Sequence, residues 1–354
     1  MTKKTKSIFG ILSIFVLSVV LTLAYFSYQF LAVGPSDDTT EVLFDVIPGQ
    51  SMTVVAQNLQ ERQLIKNSWL FLKWSRFKGM NSKLKKGEYA LNKAMTPTEV
   101  LNVITSGKSV SRNLTIPEGK NIFEIAEIIE KNGYGSKEDF IKLVTDKAFV
   151  QQELNENLES LEGYLFPDTY KVTKFDTQKE IVQQMTNHFL KVWNELQPEV
   201  QKLNWPRHKL MTLASIVEKE TGSAADRNLV SSVFHNRLRM NMRLQTDPTV
   251  LYGKALLMGS MPNNITKLDL MTPNKYNTYT IPGLPPGPIS NPGRDAIRAT
   301  LNPAVTKYIY FVSRNDGTTA FSETLVQHNQ AVQKYQMNSK SREGKSWRDL
   351  NKGK

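Results

Sequence analysis

Arg207-His208-Lys209-Leu210-Met211-Thr212-Leu213-Ala214-Ser215-Ile216-Val217-Glu218-Lys219-Glu220-Thr221 is the stretch on which the reading of the fold turns. Leu210, Leu213, Ala214, Val217 and Thr221 recur at helical spacing and form one apolar stripe. The spacing predicts a helix from Arg207 to Thr221, closed by Gly222 as a left-handed cap. Glu218 follows Ala214 by four positions and Met211 by seven, so it flanks the stripe. A carboxyl at such a margin loses water, and desolvation favours its neutral form, which is what a general acid needs near neutral pH. On periodicity alone, an ordinary surface glutamate near a helix end is the simpler account. Glu220 lies farther round, beside Ile216, as an exposed or supporting residue.

Downstream, a further helix is predicted over about 226–241. Between Thr272 and Pro303 the chain crowds Pro282, Gly283, Pro285, Pro286, Gly287, Pro288, Pro292 and Gly293. This segment is read as an ordered loop or lid, because proline can continue neither a helix nor a central strand. Tyr308 to Val312 reads as a strand, and a last helix follows from Glu323. Upstream, the chain is mainly helical from Arg112. Asn121 to Glu124 and Thr177 to Glu180 are helix starts, the second opening one long helix over about 177–202.

A separate first unit spans about 41–111. Residues 42–47 read as a strand, Pro48-Gly49 as a turn and Ser51 as a helix cap; a second helix over Ser68 to Phe77 and a strand over 86–91 follow. Thr96-Pro97-Thr98-Glu99 is a capping box with proline at the first helical position. Ile116-Pro117-Glu118-Gly119 before Ile125 faintly echoes Ile47-Pro48-Gly49 before Val54, both reading strand, turn, helix.

Ahead of residues 32–40, a short polar linker, Ile8 to Leu31 carries 24 residues without a charge, after Lys3, Lys4 and Lys6. Such a helix covers about 36 Å, enough to span a hydrocarbon core of about 30 Å. With the lysines before the span and Asp37 and Asp38 beyond it, residues 1–7 are expected in the cytoplasm and the body outside. The rival is a cleaved signal peptide, but its apolar region is usually about 7–15 residues and ends in a small-x-small site. No convincing site of that kind follows Leu31. The absence of cysteine excludes disulfides, thiolate metal sites and cysteine nucleophiles. Of the net charge of +12, seven units sit in the termini, three before the span and four in residues 338–354. That placement reads as a solvated basic tail on a mildly basic body, suited to an acidic polymer or anionic lipid and not to nucleic acid. The four histidines show no metal-ligand spacing, and no glycine-rich phosphate loop follows a strand, so no cofactor is expected.

Five motifs raise the weight of Glu218. They are Glu218-Lys219-Glu220-Thr221, Val233-Phe234-His235-Asn236-Arg237-Leu238, residues 244–252 with Leu244-Gln245-Thr246-Asp247-Pro248, Tyr276-Asn277-Thr278-Tyr279, and Gly283-Leu284-Pro285-Pro286-Gly287-Pro288-Ile289. In this order they resemble the YceG-like family of endolytic murein transglycosylases, over nearly the whole chain after the linker. His235 stands where an aliphatic residue or tyrosine is common, and the tail after Met337 is an addition.

The resemblance implies an α+β ectodomain: a LysM-like βααβ module over 41–111, then a larger, mainly helical catalytic domain over 112–337. It implies that Glu218 protonates the glycosidic oxygen leaving N-acetylmuramic acid and then takes the proton of that sugar's C6 hydroxyl, leaving a 1,6-anhydro end. Nascent glycan strands would be the substrate, peptidoglycan synthases (penicillin-binding proteins) the partners, and the outer face of the cytoplasmic membrane the location. Asn236, Arg237 and Gln245 offer groups suited to N-acetyl and carboxylate contacts. Tyr276 and Tyr279 could stack on sugar faces, with Asn277, Asp247 and Glu220 completing the binding set. For Asn236, Arg237, Gln245 and the two tyrosines a packing role fits equally well. Asp247 is read as ordering its loop or bonding the sugar. Two other readings stay open: a two-carboxylate muramidase using Glu218 and Asp247, and a non-catalytic, membrane-tethered glycan-binding scaffold for synthases.

Overall fold

The computed structural model describes residues 3–337, so the basic tail over 338–354 lies outside the described residues. The described residues form an α+β fold, with many helices and three two-stranded sheets among them. It divides into two units, one of residues up to 113 together with 171–176, the other of 114–170 and 177 onward.

The first unit begins with α1 (Lys3–Leu31), whose stretch Ile14–Leu31 is long and apolar enough to cross a membrane, a test that a signal sequence also passes. The order β1 (Val42–Val46), α2 (Met52–Glu61), α3 (Ser68–Phe77), β2 (Gly87–Leu91), α4 (Pro97–Ser106) follows. β1 and β2 pair antiparallel, Val42 opposite Leu91 and Val46 opposite Gly87. Their inward residues Phe44, Val46, Tyr89 and Leu91 close over Val55, Leu59, Phe71, Val100 and Leu101. Residues 32–40 are ordered: Gly34 is buried against the backbone of Ala94, Ser36 donates to Lys93 O, and Ala94 donates to Asp38 O. Lys174 joins this unit because its Nζ lies 2.6 Å from Asp45 Oδ2.

The capping box at α4 forms as its sequence dictates, Glu99 N donating to Thr96 Oγ1 and Thr96 N to Glu99 Oε2. Thr96→Ala should therefore destabilise this unit by about 1 kcal/mol, visible as an earlier denaturant midpoint. An unchanged midpoint would mean that packing alone holds α4.

Strands β3 (Ser111–Thr115) and β4 (Thr169–Thr173) pair with each other. The second unit then carries α5 (Ile122–Lys131), α6 (Lys137–Val144), α7 (Lys147–Leu154), α8 (Gln178–Glu195), α9 (Gln197–Leu203), α10 (Arg207–Glu220), α11 (Arg227–Arg239), α12 (Asp247–Met258), α13 (Lys267–Met271), α14 (Arg294–Leu301), the hairpin β5 (Tyr310–Ser313) with β6 (Thr319–Ser322), and α15 (Leu325–Val332). Helix α10 is its axis. It is buried on every side from Leu210 to Val217, not along one stripe, and packs on α14, α11 and α12. Its interior hydroxyls are satisfied locally: Thr212 Oγ1 donates to His208 O, and Ser215 Oγ donates to Thr212 O while accepting from Ile289 N.

Four expectations change. The long helix over 177–202 is two helices, broken at Leu196, because Pro198 has no N–H to give the carbonyl of Asn194 four positions back and its ring crowds that carbonyl. Gly222 is not the cap of α10; Thr221 ends it in extended conformation, and its Oγ1 donates to Val217 O. Asp247 does not order a loop but begins α12, with Thr246 as cap and Pro248 in the first turn. The segment 272–303 is not loop throughout: beyond Pro292, Gly293 starts α14, and no proline recurs before Pro303. Nor is its middle a lid, since residues 287–293 are all buried.

Candidate active site

The end of α10 carries two carboxyls facing different surroundings. Glu218 is half-buried, and the backbone N–H of Gly293 donates to its Oε2 at 3.0 Å. Gly119 closes the other side: a β-carbon there would lie 3.4 Å from Glu218 Cγ. Lys219 Nζ donates to Gly119 O, fixing the turn Pro117-Glu118-Gly119 against the helix end. Gly119 sits at φ +73°, a backbone that suits glycine. Burial pushes the Glu218 carboxyl above the ordinary carboxylate range; the Gly293 N–H opposes this, the charge of Glu118 adds to it, and Arg227 and Lys219 oppose it. Oε1 of Glu218 has no hydrogen-bond partner among the described residues.

Asn291 builds this arrangement. Wholly buried, it receives Gly119 N on its carbonyl, donates from its own N to Lys120 O, and spends its side chain on Leu165 N, Lys120 O and Glu162 Oε1. Glu162 also accepts from Ile122 N at the start of α5. Burial pushes its carboxyl up to about 8, against the hydrogen bonds from Ile122 N–H, Tyr252 and Gly163.

Glu220 faces a cleft of about 510 Å³ lined also by Arg237, Gln245, Asp247, Tyr279 and His328. It is half-buried rather than exposed, and Thr246 Oγ1 donates to it. Burial pushes Glu220 up to about 7; the Thr246 bond opposes this, Asp247 adds to it and Arg237 opposes it. Asp247 and Gln245 are exposed on the cleft, and Tyr279 Oη donates to Asp247 Oδ1 at 2.6 Å. Gln245 stands at φ +50°, a strained backbone for a side-chain-bearing residue beside a cleft.

The remaining expected contacts are differently employed. Both amide hydrogens of Asn236 go to carbonyls, Thr306 O and Tyr308 O. Arg237 borders the cleft, yet its Nε and Nη1 donate to Ile309 O and Leu244 O. Asn277 is buried and donates to Asp269 O, Leu270 O and Thr272 O. Tyr276 is half-buried with its ring edge-to-face on Tyr252 at 5.1 Å. Thus Glu220, Arg237, Gln245, Asp247 and Tyr279 come together, while Glu218 stands apart with the 117–119 turn and Gly293. Asp247 acts on Glu220; the carboxylate whose charge acts on Glu218 is Glu118, a residue the helical pattern did not single out.

Comparison with known proteins agrees in extent with these elements. The model of the YceG-like family matches residues 44–334. A relative from Bacillus subtilis (strain 168), named endolytic murein transglycosylase, is 35% identical over 317 residues, covering 84% of this chain and 86% of its own. A Streptococcus pneumoniae (strain D39) protein of the same name is 29% identical over 367 residues, covering 92% of this chain; the chain spans 66% of that longer relative. The crystal structure of a yceG-like protein from Listeria monocytogenes superposes with a TM-score of 0.56 at 33% identity, over 82% of this chain and 99% of that one. With the family model covering all but the N-terminal helix and linker, the first strand's edge and the extreme C-terminus, the chain belongs to the YceG-like family.

Proposed function

We propose that the protein is an endolytic murein transglycosylase with Glu218 as its general acid and base. The observation that carries this is the Glu218 carboxyl, half-buried and raised in pKa by desolvation, with Oε2 fixed by the Gly293 N–H and Oε1 free of hydrogen bonds among the described residues. Held protonated above the usual carboxylate range, Oε1 gives its proton to the oxygen between N-acetylmuramic acid and N-acetylglucosamine. The C1–O bond breaks and its electron pair leaves with that oxygen, so positive charge develops at C1. The C6 hydroxyl oxygen of the same sugar bonds to C1 and returns its proton to Glu218. A 1,6-anhydro ring results, and water is neither consumed nor released.

The cleft beside Glu220 supplies sugar-binding groups in this reading, through Gln245, Asp247 and Tyr279, and the backbone-bound Arg237 and Asn236 hold its wall. Asn277 and Tyr276 support the loop that carries Tyr279. The βααβ order of the first unit supports reading residues 41–111 as a LysM-like glycan-binding module ahead of a catalytic domain over 112–337. The apolar stretch of α1, with Lys3, Lys4 and Lys6 in the first turns of the same helix, supports an uncleaved span with the body outside the cytoplasmic membrane. There the chain would meet nascent glycan beside its synthases and end their products.

Digestion of purified uncrosslinked glycan, read by mass spectrometry, tests the reading. Muramic ends in the anhydro form, on fragments of mixed length, are expected. Reducing muramic ends would make the enzyme a hydrolase, and disaccharides alone would make it exo-acting.

A further inference from the structure

We propose that Glu118 is the second carboxylate of the reaction centre, placed beside Glu218 so that its negative charge faces the sugar carbon on which positive charge develops. This rests on the transglycosylase reading and adds to it a residue outside the general acid and base step.

The geometry comes from Gly293. Its N–H holds Glu218 Oε2 at 3.0 Å, and a β-carbon built on it would meet Glu118 Oε1 at 1.9 Å. Glycine is thus what leaves room for the Glu118 carboxyl at this spot. With roughly 2.5 Å between N and Cβ of one residue, the two carboxyl oxygens are no more than about 7.5 Å apart. Paired carboxylates acting on one glycosidic bond stand about 5–9.5 Å apart. The turn does not drift: Gly119 N is bound to Asn291 O, and Gly119 O to Lys219 Nζ. The two glutamates also differ in surroundings, Glu118 being exposed and Glu218 half-buried.

That difference divides the labour. Two neighbouring carboxyls resist ionising together, and burial together with the like charge of Glu118 raises the affinity of Glu218 for its proton. When Glu218 delivers its proton and C1 becomes cationic, the charge of Glu118 is already in position, a preorganised electrostatic contribution. Glu118 forms and breaks no bond, and the C6 hydroxyl remains the nucleophile. The charges facing Glu218 are Glu118 from the turn before α5, Lys219 from its own helix and Arg227 from the start of α11, itself paired with Asp295.

The test uses the full chain on uncrosslinked glycan, comparing wild type, Glu118→Gln, Glu118→Asp and Gly293→Ala across pH, with Glu218→Gln as reference. Glu118→Gln should lower kcat at least tenfold with a smaller change in KM. It should also move the basic limb of the pH profile to lower pH, because the like charge that helped hold the proton on Glu218 is gone. Gly293→Ala, whose φ of −74° suits alanine, should displace Glu118 and act in the same direction. Glu118→Asp should recover part of the rate. An unshifted basic limb with wild-type kcat overturns the proposal. So does a uniform loss at every pH with a lowered melting temperature, which marks a structural role. Failure of the wider reading looks different: Glu218→Gln would keep its activity, or the ends would not be anhydro.

Discussion

Glu218→Gln should lower the release of anhydro ends by about 10²–10⁴-fold, the usual worth of a positioned general acid and base, with the fold intact. Glutamine keeps an oxygen to accept the Gly293 N–H, so the helix end and the 117–119 turn stay in place. What it loses is the proton that Oε1 carries. In the wild type the rate should fall as pH rises through the Glu218 pKa, which lies above that of an ordinary glutamate. The residual rate of the variant should lack that limb. Kinetics on a defined glycan over a pH series, with circular dichroism for the fold, checks both points; a Gln variant with the wild-type rate and limb would remove Glu218 from the chemistry.

Glu162→Gln should have the largest effect on stability. The folded-state pKa of Glu162 is raised from 4.5 to about 8, chiefly by burial. A carboxyl raised in this way favours the fold below its unfolded pKa, and that contribution is lost as pH climbs through the folded value. At about 1.4 kcal/mol for each tenfold change in proton affinity, the second unit should lose a few kcal/mol between about pH 4.5 and 8. Glu220, raised to about 7, adds a smaller loss of the same sign. With an amide at position 162 most of that slope should vanish, while one of the two donors, Ile122 N–H or Asn291 Nδ2, loses its acceptor, so the variant should be less stable than wild type at low pH. Denaturant melts at several pH values decide the matter, and parallel curves for the two proteins would show that Glu162 ionises normally.

Much of the first unit was legible because its elements are short and individually signalled. Ser68 to Phe77 is α3 as the pattern predicts, and the Thr96–Glu99 box forms at α4. In the second unit the local signals compete. Asp247-Pro248 reads equally as a turn or as a helix start, and only the packing of α12 on α10 decides it. α14 hid behind a run of prolines that ends at Pro292. At the site, the periodicity marked Glu218 as marginal to the core, and it is half-buried there. It could not mark Glu118, because that neighbour is 100 positions away in the chain and is brought in by Asn291. Nor could residue type reveal that the amides of Asn236 and Asn277 are consumed by backbone carbonyls.

The segment 287–293 is tied down by Ile289 N to Ser215, by Asn291 to four groups and by Gly293 N to Glu218. Fixing a residue's backbone costs about 1–2 kcal/mol, and here that cost falls at folding, once per molecule rather than once per bond cut. Turnover need not wait on a microsecond closing motion to align the Gly293 N–H. Its pace is left to how fast a glycan strand threads in and its shortened pieces slide away.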